Sequence, residues 1–398
     1  MFLNISEYLC RKISALTPVA ITAVASFSAL GLDTDTVWEN YQNLKSLITP
    51  KQIGEHIEWV CALSDPLSEI KEALRSEKSK YRNLDDSVLY GILASRKAVE
   101  KAGWTESDVF GINIGSSRGA TALFEKYHQE FIETGKTATP SSPSTTLGNI
   151  SSWIAQDLKS TGPEISHSIT CSTALHAVLN GIVWINSGMT DKFLAGGSEA
   201  PLTPFTLAQM KAMKIYAKTA SEFPCRSFDL QKTENTMVLG EGAAVVCLEK
   251  GKKENALGYI TGLGYATEAI THGSSISDEA ESMQKAMKMA LKNIPPSEVD
   301  VIVMHAPGTI KGDMSEFRAI EKVFGNQLPM LTTNKWKIGH TFGASGTLSM
   351  ELALLMLQHQ KFIGTPFTTP GKPRKNLQKI LINAVGFGGN AVSVLIEK

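Results

Sequence analysis

The chain has 398 residues, a formal net charge of zero at neutral pH, 42% hydrophobic residues and 20% charged residues. These values are typical of a globular protein with a sizeable core, and the length allows two or three domains or one large duplicated unit. The balanced charge argues against a nucleic-acid-binding protein, which usually carries a basic excess. An acidic protein partner remains compatible with it, through a local basic patch.

The cysteines indicate a reducing environment. They are scattered, no CxxC pair occurs, and they number five: Cys10, Cys61, Cys171, Cys225 and Cys247. This pattern favours neither a disulfide framework nor a zinc site, and it predicts a cytoplasmic protein. No apolar run reaches the roughly 18–20 residues that a membrane span needs. Residues 1–17 lack the continuous apolar core of a signal peptide, and we predict an amphipathic lead-in helix there.

The first part of the chain alternates between strand and helix patterns. The predicted elements are a strand at 18–25, a helix at 33–44, surface structure at 45–80, a helix at 85–102, a strand at 110–116, a loop at 137–146 and a helix at 149–158. The helix at 85–102 has an acidic start, an apolar face and a terminating glycine, Gly103.

The segment from Ser168 to Ala177, SITCSTALHA, changes from a strand pattern to a helix pattern at Cys171. We predict a strand at 165–170, a helix start near Ser172, and the Cys171 sulfur at the helix N-terminus. Unpaired N–H groups and the helix dipole favour a thiolate there, as nucleophilic acyl transfer requires. A lone cysteine in such a place is more often buried and inert, so the interpretation depends on the residues downstream.

Further strand and helix patterns continue to the C-terminus. They are a strand at 192–196, a tight turn at 196–199, a Met-rich segment at 209–216, a loop at 224–229, strands at 243–249 and 258–265, a helix at 282–291, a strand at 299–304, helices at 313–324 and 347–359, and strands at 380–384 and 392–397. The charged stretch near 250–255 separates a first half, 18–250, from a second half, 251–398. The alternation in both halves predicts α/β layers.

Three segments of the second half carry polar residues in unusual settings. His305 directly follows an apolar strand and precedes a Pro-Gly loop, and His340 precedes a long apolar helix. Lys335 lies five residues before His340, and the segment 386–390, GFGGN, places three glycines around Phe387. Taken singly, these features also fit a core histidine, a helix cap, a surface charge and a glycine-rich turn.

Together the segments resemble the β-ketoacyl-acyl-carrier-protein synthases, the elongating condensing enzymes of the thiolase superfamily. The resemblance runs from about Pro18 to the end of the chain, and its parts occur in the family's order: SITCSTALHA, LAGGSEA, PCRSFD, LGEGAAVVCLE, the His305 segment with its continuation GDMSEFRAIEKVFG, the His340 segment and GFGGN. It implies an α/β, thiolase-like fold, in which two similar α/β halves form a layered α-β-α-β-α core.

The resemblance also implies the catalytic roles. Cys171 would accept the acyl chain as a thioester. His305 and His340, as neutral hydrogen-bond donors, would stabilise the enolate that forms when the malonyl unit loses carbon dioxide. The backbone N–H groups of Cys171 and Phe387 would form the oxyanion hole, and Phe387 would act as a gate. Lys335 would support the His305 site.

Supporting residues follow from the same resemblance. Lys335 would join a charge network with Asp313 or Glu316, Thr309 and Gly388 would support the two loops, and Met210 and Met213 would fall where the family places acyl-pocket residues. No metal and no organic cofactor are expected, because phosphopantetheine arrives on the acyl carrier protein. Candidates for a basic patch facing that acidic carrier are Arg118, Lys126, Lys211, Lys214 and Lys218.

The implied function is decarboxylative Claisen condensation by a homodimer with its acyl tunnel near the dimer interface, or by a heterodimer with a related subunit. Alternatives are a catalytically silent partner subunit, and a thiolase or thioesterase. The chain departs from the family in having HAPGT at 305–309 in place of HGTST, VGFGGN in place of FGFGGTN, and Ser349 where Glu is common, with Glu351 nearby. These departures indicate a specialised synthase for a polyene or other secondary lipid chain.

Overall fold

The computed structural model describes residues 18–147, 149–219, 221–269, 277–292, 294–369 and 376–398. The predicted lead-in helix at 1–17 lies outside the described residues.

The strands of the described residues are β1 (Val19–Ser28), β2 (Thr49–Ile53), β3 (His56–Cys61), β4 (Gly111–Gly115), β5 (Glu164–Ile165), β6 (Lys192–Glu199), β7 (Leu239–Gly240), β8 (Gly242–Lys250), β9 (Gly258–Thr267), β10 (Val301–Val303), β11 (Met330–Thr332), β12 (Lys379–Gly386) and β13 (Asn390–Glu397).

The α-helices are α1 (Thr34–Gln42), α2 (Asp65–Glu77), α3 (Asp86–Ala102), α4 (Thr121–Thr134), α5 (Ser141–Thr145), α6 (Asn149–Leu158), α7 (Thr173–Asn186), α8 (Pro204–Ala212), α9 (Glu281–Leu291), α10 (Ile310–Phe324), α11 (Lys335–Ile338) and α12 (Ser345–His359). None of the helices in the described ranges combines the length and the apolar character that crossing a bilayer requires.

The large sheet repeats one strand order twice. Counted outward from its centre, the first half reads β1-β8-β6-β4-β5 and the second half reads β9-β13-β12-β10-β11. The relative directions also match, because the inner pairs of each half are antiparallel and the outer pairs are parallel. Antiparallel pairing of β1 with β9 joins the halves into one ten-stranded sheet.

Apolar side chains on both faces of the strands build the layers. In β8, alternate residues point to opposite faces, as a period of two requires. One set packs towards α3 and α6, and the other packs towards the central helices α7 and α12: Ala243, Val245 and Cys247, against Ala244, Val246 and Leu248. A third cluster lies between the second half of the sheet and α9 and α10. The central helix α12 is buried from Ser345 to Leu357.

The structure corrects three predictions about local structure. The predicted strand at 165–170 ends at Ile165, and Thr170, at the end of the predicted range, adopts a left-handed conformation with φ of +48°. The predicted turn at 196–199 belongs to β6. Its glycines permit close packing, since a Cβ on Gly196 would lie 2.2 Å from the Ala244 carbonyl oxygen. The predicted loop at 137–146 contains the short helix α5. The stretch 45–80, predicted as surface structure, is mostly exposed and contains β2, β3 and α2.

Candidate active site

The reacting groups predicted from the sequence meet at the ends of the parallel strands. Cys171 lies two residues before the start of α7, His305 follows β10 by two residues, and His340 follows α11 by two residues. The Cys171 sulfur and one nitrogen of each imidazole all lie within 4.8 Å of one another. The two imidazole rings have centroids 5.2 Å apart and meet edge to face. All three side chains are buried and line one cavity of about 300 Å³.

Backbone strain accompanies each of the three residues. Thr170 precedes Cys171 with φ of +48°, Ala306 follows His305 with φ of +29°, and Phe342 lies two residues after His340 with φ of +40°. Residues other than glycine rarely adopt such angles, which tend to cluster at functional sites. Tertiary packing therefore holds the backbone beside these three residues in conformations that the local sequence disfavours.

Cys171 is a thiol in the resting protein. Burial raises its pKa to about 12, and the nearby Glu199 carboxylate raises it further, while Lys335 and Arg118 oppose this rise. The sequence-based expectation that the start of α7 favours a thiolate is therefore wrong for the resting state. Desolvation of a charge on the sulfur outweighs the partial charges at the helix start.

Both histidines are neutral. Burial holds the pKa of His305 and of His340 well below the usual value, and the charge of Lys335 lowers both further. The backbone N–H of His340 donates to the Val238 carbonyl at 2.7 Å, and its Nδ1 atom has no hydrogen-bond partner among the described residues. Each neutral imidazole can donate one hydrogen bond and accept another.

Glu316 supports the first residues of the His305 loop. Its carboxylate accepts hydrogen bonds from the backbone N–H groups of His305 at 2.9 Å and of Ala306 at 2.8 Å. Burial raises the pKa of Glu316 to about 7, with Lys335 opposing the rise. Burial lowers the pKa of Lys335 to about 8, and attraction to Glu316 opposes that fall most. The two groups are both buried and attract each other electrostatically.

Asp313 forms an ion pair with Lys232. It lies 2.6 Å from the Lys232 ammonium group, accepts from the backbone N–H of Gly308 at 2.9 Å, and is fully buried. Lys232 comes from the loop before β7. The sequence does not predict this ion pair, because a lone lysine between polar residues has the pattern of an exposed side chain. This ion pair ties that loop to the segment that carries His305.

Glu351 does not take the place of the glutamate that the family commonly has at position 349. Ser349 and Glu351 are both buried in α12. Burial raises the pKa of Glu351 to about 7, and the other groups acting on it are Ser26 and Lys101. The carboxylate beside Lys335 is that of Glu316.

The glycine loop is tied to the nucleophile turn. Phe387 lines the cavity, and its carbonyl oxygen accepts from the Thr170 hydroxyl at 3.3 Å and from the Asn390 amide at 3.0 Å. A Cβ on Gly386 would lie 1.9 Å from the Thr170 hydroxyl oxygen, so only glycine fits there. Gly388 is exposed and has φ of +94°. These contacts fix the peptide of Phe387 relative to Cys171.

The remaining predicted residues divide between the cavity and its surroundings. Met213 lines the cavity, whereas Met210 packs in the apolar cluster around Cys171. Thr309 lines the cavity and caps α10 by accepting from the Gly312 N–H at 3.1 Å, so this helix begins before the predicted residue 313. Cavity-lining residues that the sequence did not reveal include Ile215, Asn235, Met237, Pro307 and Phe342.

Two of the five basic residues proposed for a carrier-facing patch are engaged within the protein. Arg118 donates to the Gln209 side chain and stacks on Phe342, and Lys211 pairs with Glu58. The other three, Lys126, Lys214 and Lys218, are exposed.

The cysteine and the two histidines also form the kind of sulfur and nitrogen set that zinc prefers. The expectation of a metal-free site remains a prediction.

Two protein-family models together match most of the chain. Residues 16–254 match the family model described as beta-ketoacyl synthase, N-terminal domain, and residues 257–366 match its C-terminal domain. Curated relatives include the 3-oxoacyl-[acyl-carrier-protein] synthase 2 of Staphylococcus aureus (strain COL), 25% identical over 96% of this chain and 98% of the relative. The enzyme of the same name from Coxiella burnetii is 27% identical, with the same coverage.

Solved structures show the same fold. The ishigamide ketosynthase/chain length factor has a TM-score of 0.82 at 20% identity, covering 96% of this chain and 100% of that one. A ketosynthase in complex with its chain length factor from Xenorhabdus doucetiae has a TM-score of 0.76 at 20% identity and full coverage of both chains. These similarities confirm the predicted α/β, thiolase-like fold.

Proposed function

This chain belongs to the β-ketoacyl synthase family of condensing enzymes, and on that premise we propose that it catalyses decarboxylative condensation of a carrier-bound acyl chain with malonyl-acyl-carrier protein. The observation that carries the proposal is the meeting of the Cys171 sulfur with the His305 and His340 imidazoles within 4.8 Å in one buried cavity. A nucleophile and two neutral donors are the groups that the two half-reactions need.

In the first half-reaction, the Cys171 sulfur attacks the acyl thioester. A neutral imidazole takes the thiol proton, the acyl–sulfur bond to the carrier breaks, and the carrier thiolate regains the proton. The N–H groups of Cys171 and Phe387 bind the oxyanion, and one such donor is worth about 3–4 kcal/mol of barrier. Covalent attachment then converts an encounter of two substrates into a local reaction.

In the second half-reaction, His305 and His340 donate hydrogen bonds to the thioester carbonyl of the malonyl group. Its carboxylate leaves as carbon dioxide, and the electron pair of the broken bond forms an enolate that the two donors stabilise. The enolate carbon attacks the Cys171 thioester, and the sulfur departs and takes up one proton. The products are 3-oxoacyl-carrier protein, carbon dioxide and the free thiol.

The proposal includes the partners and the setting. The phosphopantetheine arm of an acyl carrier protein would enter the cavity, and the exposed Lys126, Lys214 and Lys218 are candidates for contact with an acidic carrier. We propose a cytoplasmic homodimer or a heterodimer with a related subunit, acting in a specialised lipid, polyene or polyketide pathway. A silent partner subunit is disfavoured, because Cys171 and both histidines are present and lie together.

Intact-protein mass spectrometry tests this function. Incubation with acyl-carrier proteins should add one acyl mass to Cys171, and malonyl-carrier protein should then remove it and yield a 3-oxoacyl-carrier protein. Cys247→Ala, which alters a buried cysteine of β8 outside the cavity lining, should leave both steps unchanged. Failure of every carrier-bound acyl group to modify Cys171 would refute the proposal.

A further inference from the structure

Arg118 occupies a place in the first half that corresponds to that of His305 in the second. The strands β4 and β10 hold the same position in the repeated strand order. Arg118 follows β4 by three residues, and His305 follows β10 by two. In the same way, Cys171 follows β5, while Lys335 and His340 follow β11. The proposed chemistry uses residues of three of these loops and leaves the Arg118 loop without a role.

The Arg118 guanidinium lies against the apolar cluster that contains Cys171. Its central carbon is 5.8 Å from the ring centroid of Phe342, which lines the cavity and packs in the same apolar cluster as Cys171 and Met210. It also donates to the side-chain oxygen of Gln209, the neighbour of Met210 in α8. Its charge lowers the pKa of the Cys171 thiol, in keeping with that proximity.

The guanidinium is incompletely satisfied. Its Nε atom is buried and has no hydrogen-bond partner among the described residues. Leaving a charged donor unpaired in an apolar setting is costly, so such a group usually meets a ligand or a water molecule. Arginine presents its N–H groups in a planar fork that suits carbonyl and carboxylate oxygens.

Glu199 fixes the Arg118 loop independently of the guanidinium. Its carboxylate accepts from the backbone N–H of Ser117 and, at 3.1 Å, from that of Gly343. Gly343 is adjacent to Phe342, so Glu199 joins the Arg118 loop to the loop that carries His340. Replacement of the Arg118 side chain should therefore leave the loop in place.

Phe342 belongs both to the cavity lining and to the apolar cluster around Cys171, and Met210 packs in that cluster without lining the cavity. Arg118 and Gln209 lie at the same cluster, outside the cavity lining, so an acyl chain that passes this wall would reach the guanidinium. A methionine in this wall can shift to admit a chain. A purely hydrocarbon chain would further desolvate the guanidinium and offer it no acceptor.

Building on the proposed function, we infer that the acyl group held by Cys171 carries an acceptor oxygen, as a ketone or a carboxylate, that binds Arg118. Arg118 would thus be a specificity-determining residue that selects oxygenated over purely hydrocarbon acyl chains. The inference names the substrate class and leaves the proposed chemistry unchanged.

A competition experiment tests the inference. The full-length protein is offered carrier proteins bearing acyl chains of equal length: saturated, with a ketone at successive positions, or with a terminal carboxylate. Mass spectrometry of Cys171 should show at least tenfold faster loading of one oxygenated chain than of the saturated chain. Preference for a ketone or for the carboxylate identifies which oxygen is bound.

Variants assign that preference to Arg118. Arg118→Met should reduce it to less than threefold, whereas Lys136→Met, which removes an exposed positive charge just after α4, should preserve it. If Arg118→Met fails to fold by circular dichroism, Arg118→Gln replaces it, with the same expected loss. Equal loading of all chains by the unaltered protein, or an unchanged preference in the Arg118 variant, would overturn the inference and leave the proposed function intact. Absence of any Cys171 acylation would instead refute the proposed function.

Discussion

The two halves of the molecule share one strand order but carry different chemical groups at equivalent loops. The loops after β4 and β5 present Arg118 and Cys171, and those after β10 and β11 present His305, Lys335 and His340. The first half thus supplies Cys171, the proposed nucleophile, and the second half supplies the two imidazoles. The duplicated backbone brings Cys171, His305 and His340 to one cavity, and the proposed chemistry is divided between the loops of the two halves.

Burial keeps the ionisable groups of both halves in their neutral forms. It raises the pKa of the Cys171 thiol to about 12 and holds the pKa values of His305 and His340 well below their usual range. All three groups are therefore neutral near neutral pH, because a low-dielectric cavity disfavours whichever form carries charge. Charge has to develop during the reaction, when the substrate and the preorganised donors are in place.

The largest effect should come from removing the group that the first half contributes. In Cys171→Ala, condensation should fall below detection, a loss of about a thousandfold or more, because no covalent acyl-enzyme can form. Decarboxylation of malonyl-carrier protein should persist, since both imidazoles come from the second half. The measurements are mass spectrometry of the protein and release of acetyl-carrier protein.

For the second half, the proposed roles predict a loss of decarboxylation with acyl loading largely kept. In His340→Ala, decarboxylation should fall about a hundredfold to a thousandfold, as loss of one transition-state donor does. Acyl loading of Cys171 should fall far less. His128→Ala, at an exposed position on α4, is the matched control and should change neither rate. Equal losses in loading and decarboxylation would contradict the assignment of separate roles to the two halves.

A smaller effect should follow from Glu316→Gln. Decarboxylation at pH 7 should fall about tenfold, because neutral glutamine has one acceptor oxygen for two backbone N–H groups and cannot pair with Lys335. Glu316 raises the pKa of Lys335, so its removal should lower that pKa below about 8. The loss of activity on the alkaline side should then begin at lower pH.

Comparison of pH–rate profiles checks this expectation. Glu321→Gln changes an exposed carboxylate of the same helix, α10, and should keep the profile of the unaltered protein. An alkaline limb that stays in place in Glu316→Gln would show that Lys335 does not depend on Glu316.

Local sequence patterns were sufficient for much of the fold. The helix predicted at 85–102 is α3, whose capping residue Asp85 accepts from the Ser87 N–H at 2.9 Å, and whose stop Gly103 has φ of +69°. Such signals act within a few residues of the chain, and a single sequence therefore displays them. The resemblance supplied Cys171, His305 and His340, since their segments keep the family's order.

The sequence did not reveal two further charged residues that the structure places around the site, Lys232 and Arg118. Lys232 pairs with Asp313, 81 residues away, and Arg118 stacks on Phe342, more than two hundred residues away. A lysine or arginine between polar neighbours has the sequence signature of a surface residue, and only tertiary packing decides otherwise. The duplication is hard to detect in the sequence for a related reason. Equivalent strands share their order and direction in the sheet, but their amino-acid sequences differ.

The smallest effect concerns the backbone strain at Ala306, where the family commonly has glycine. A left-handed conformation costs a non-glycine residue about 1–2 kcal/mol, and Ala306→Gly would relieve this cost. Against that gain stand the loss of a buried methyl group, about 0.8 kcal/mol, and the added freedom of the unfolded chain, about 0.5–1 kcal/mol. The free energy of unfolding, measured with urea, should therefore change by less than about 1 kcal/mol.

Ala319→Gly provides the matched comparison, because Ala319 is also fully buried but lies within α10. That change should cost about 2 kcal/mol, as it removes a methyl group and places glycine inside a helix without relieving strain. Similar losses in the two variants would mean that Ala306 is unstrained. In that case the loop after β10 would hold His305 near Cys171 without backbone strain.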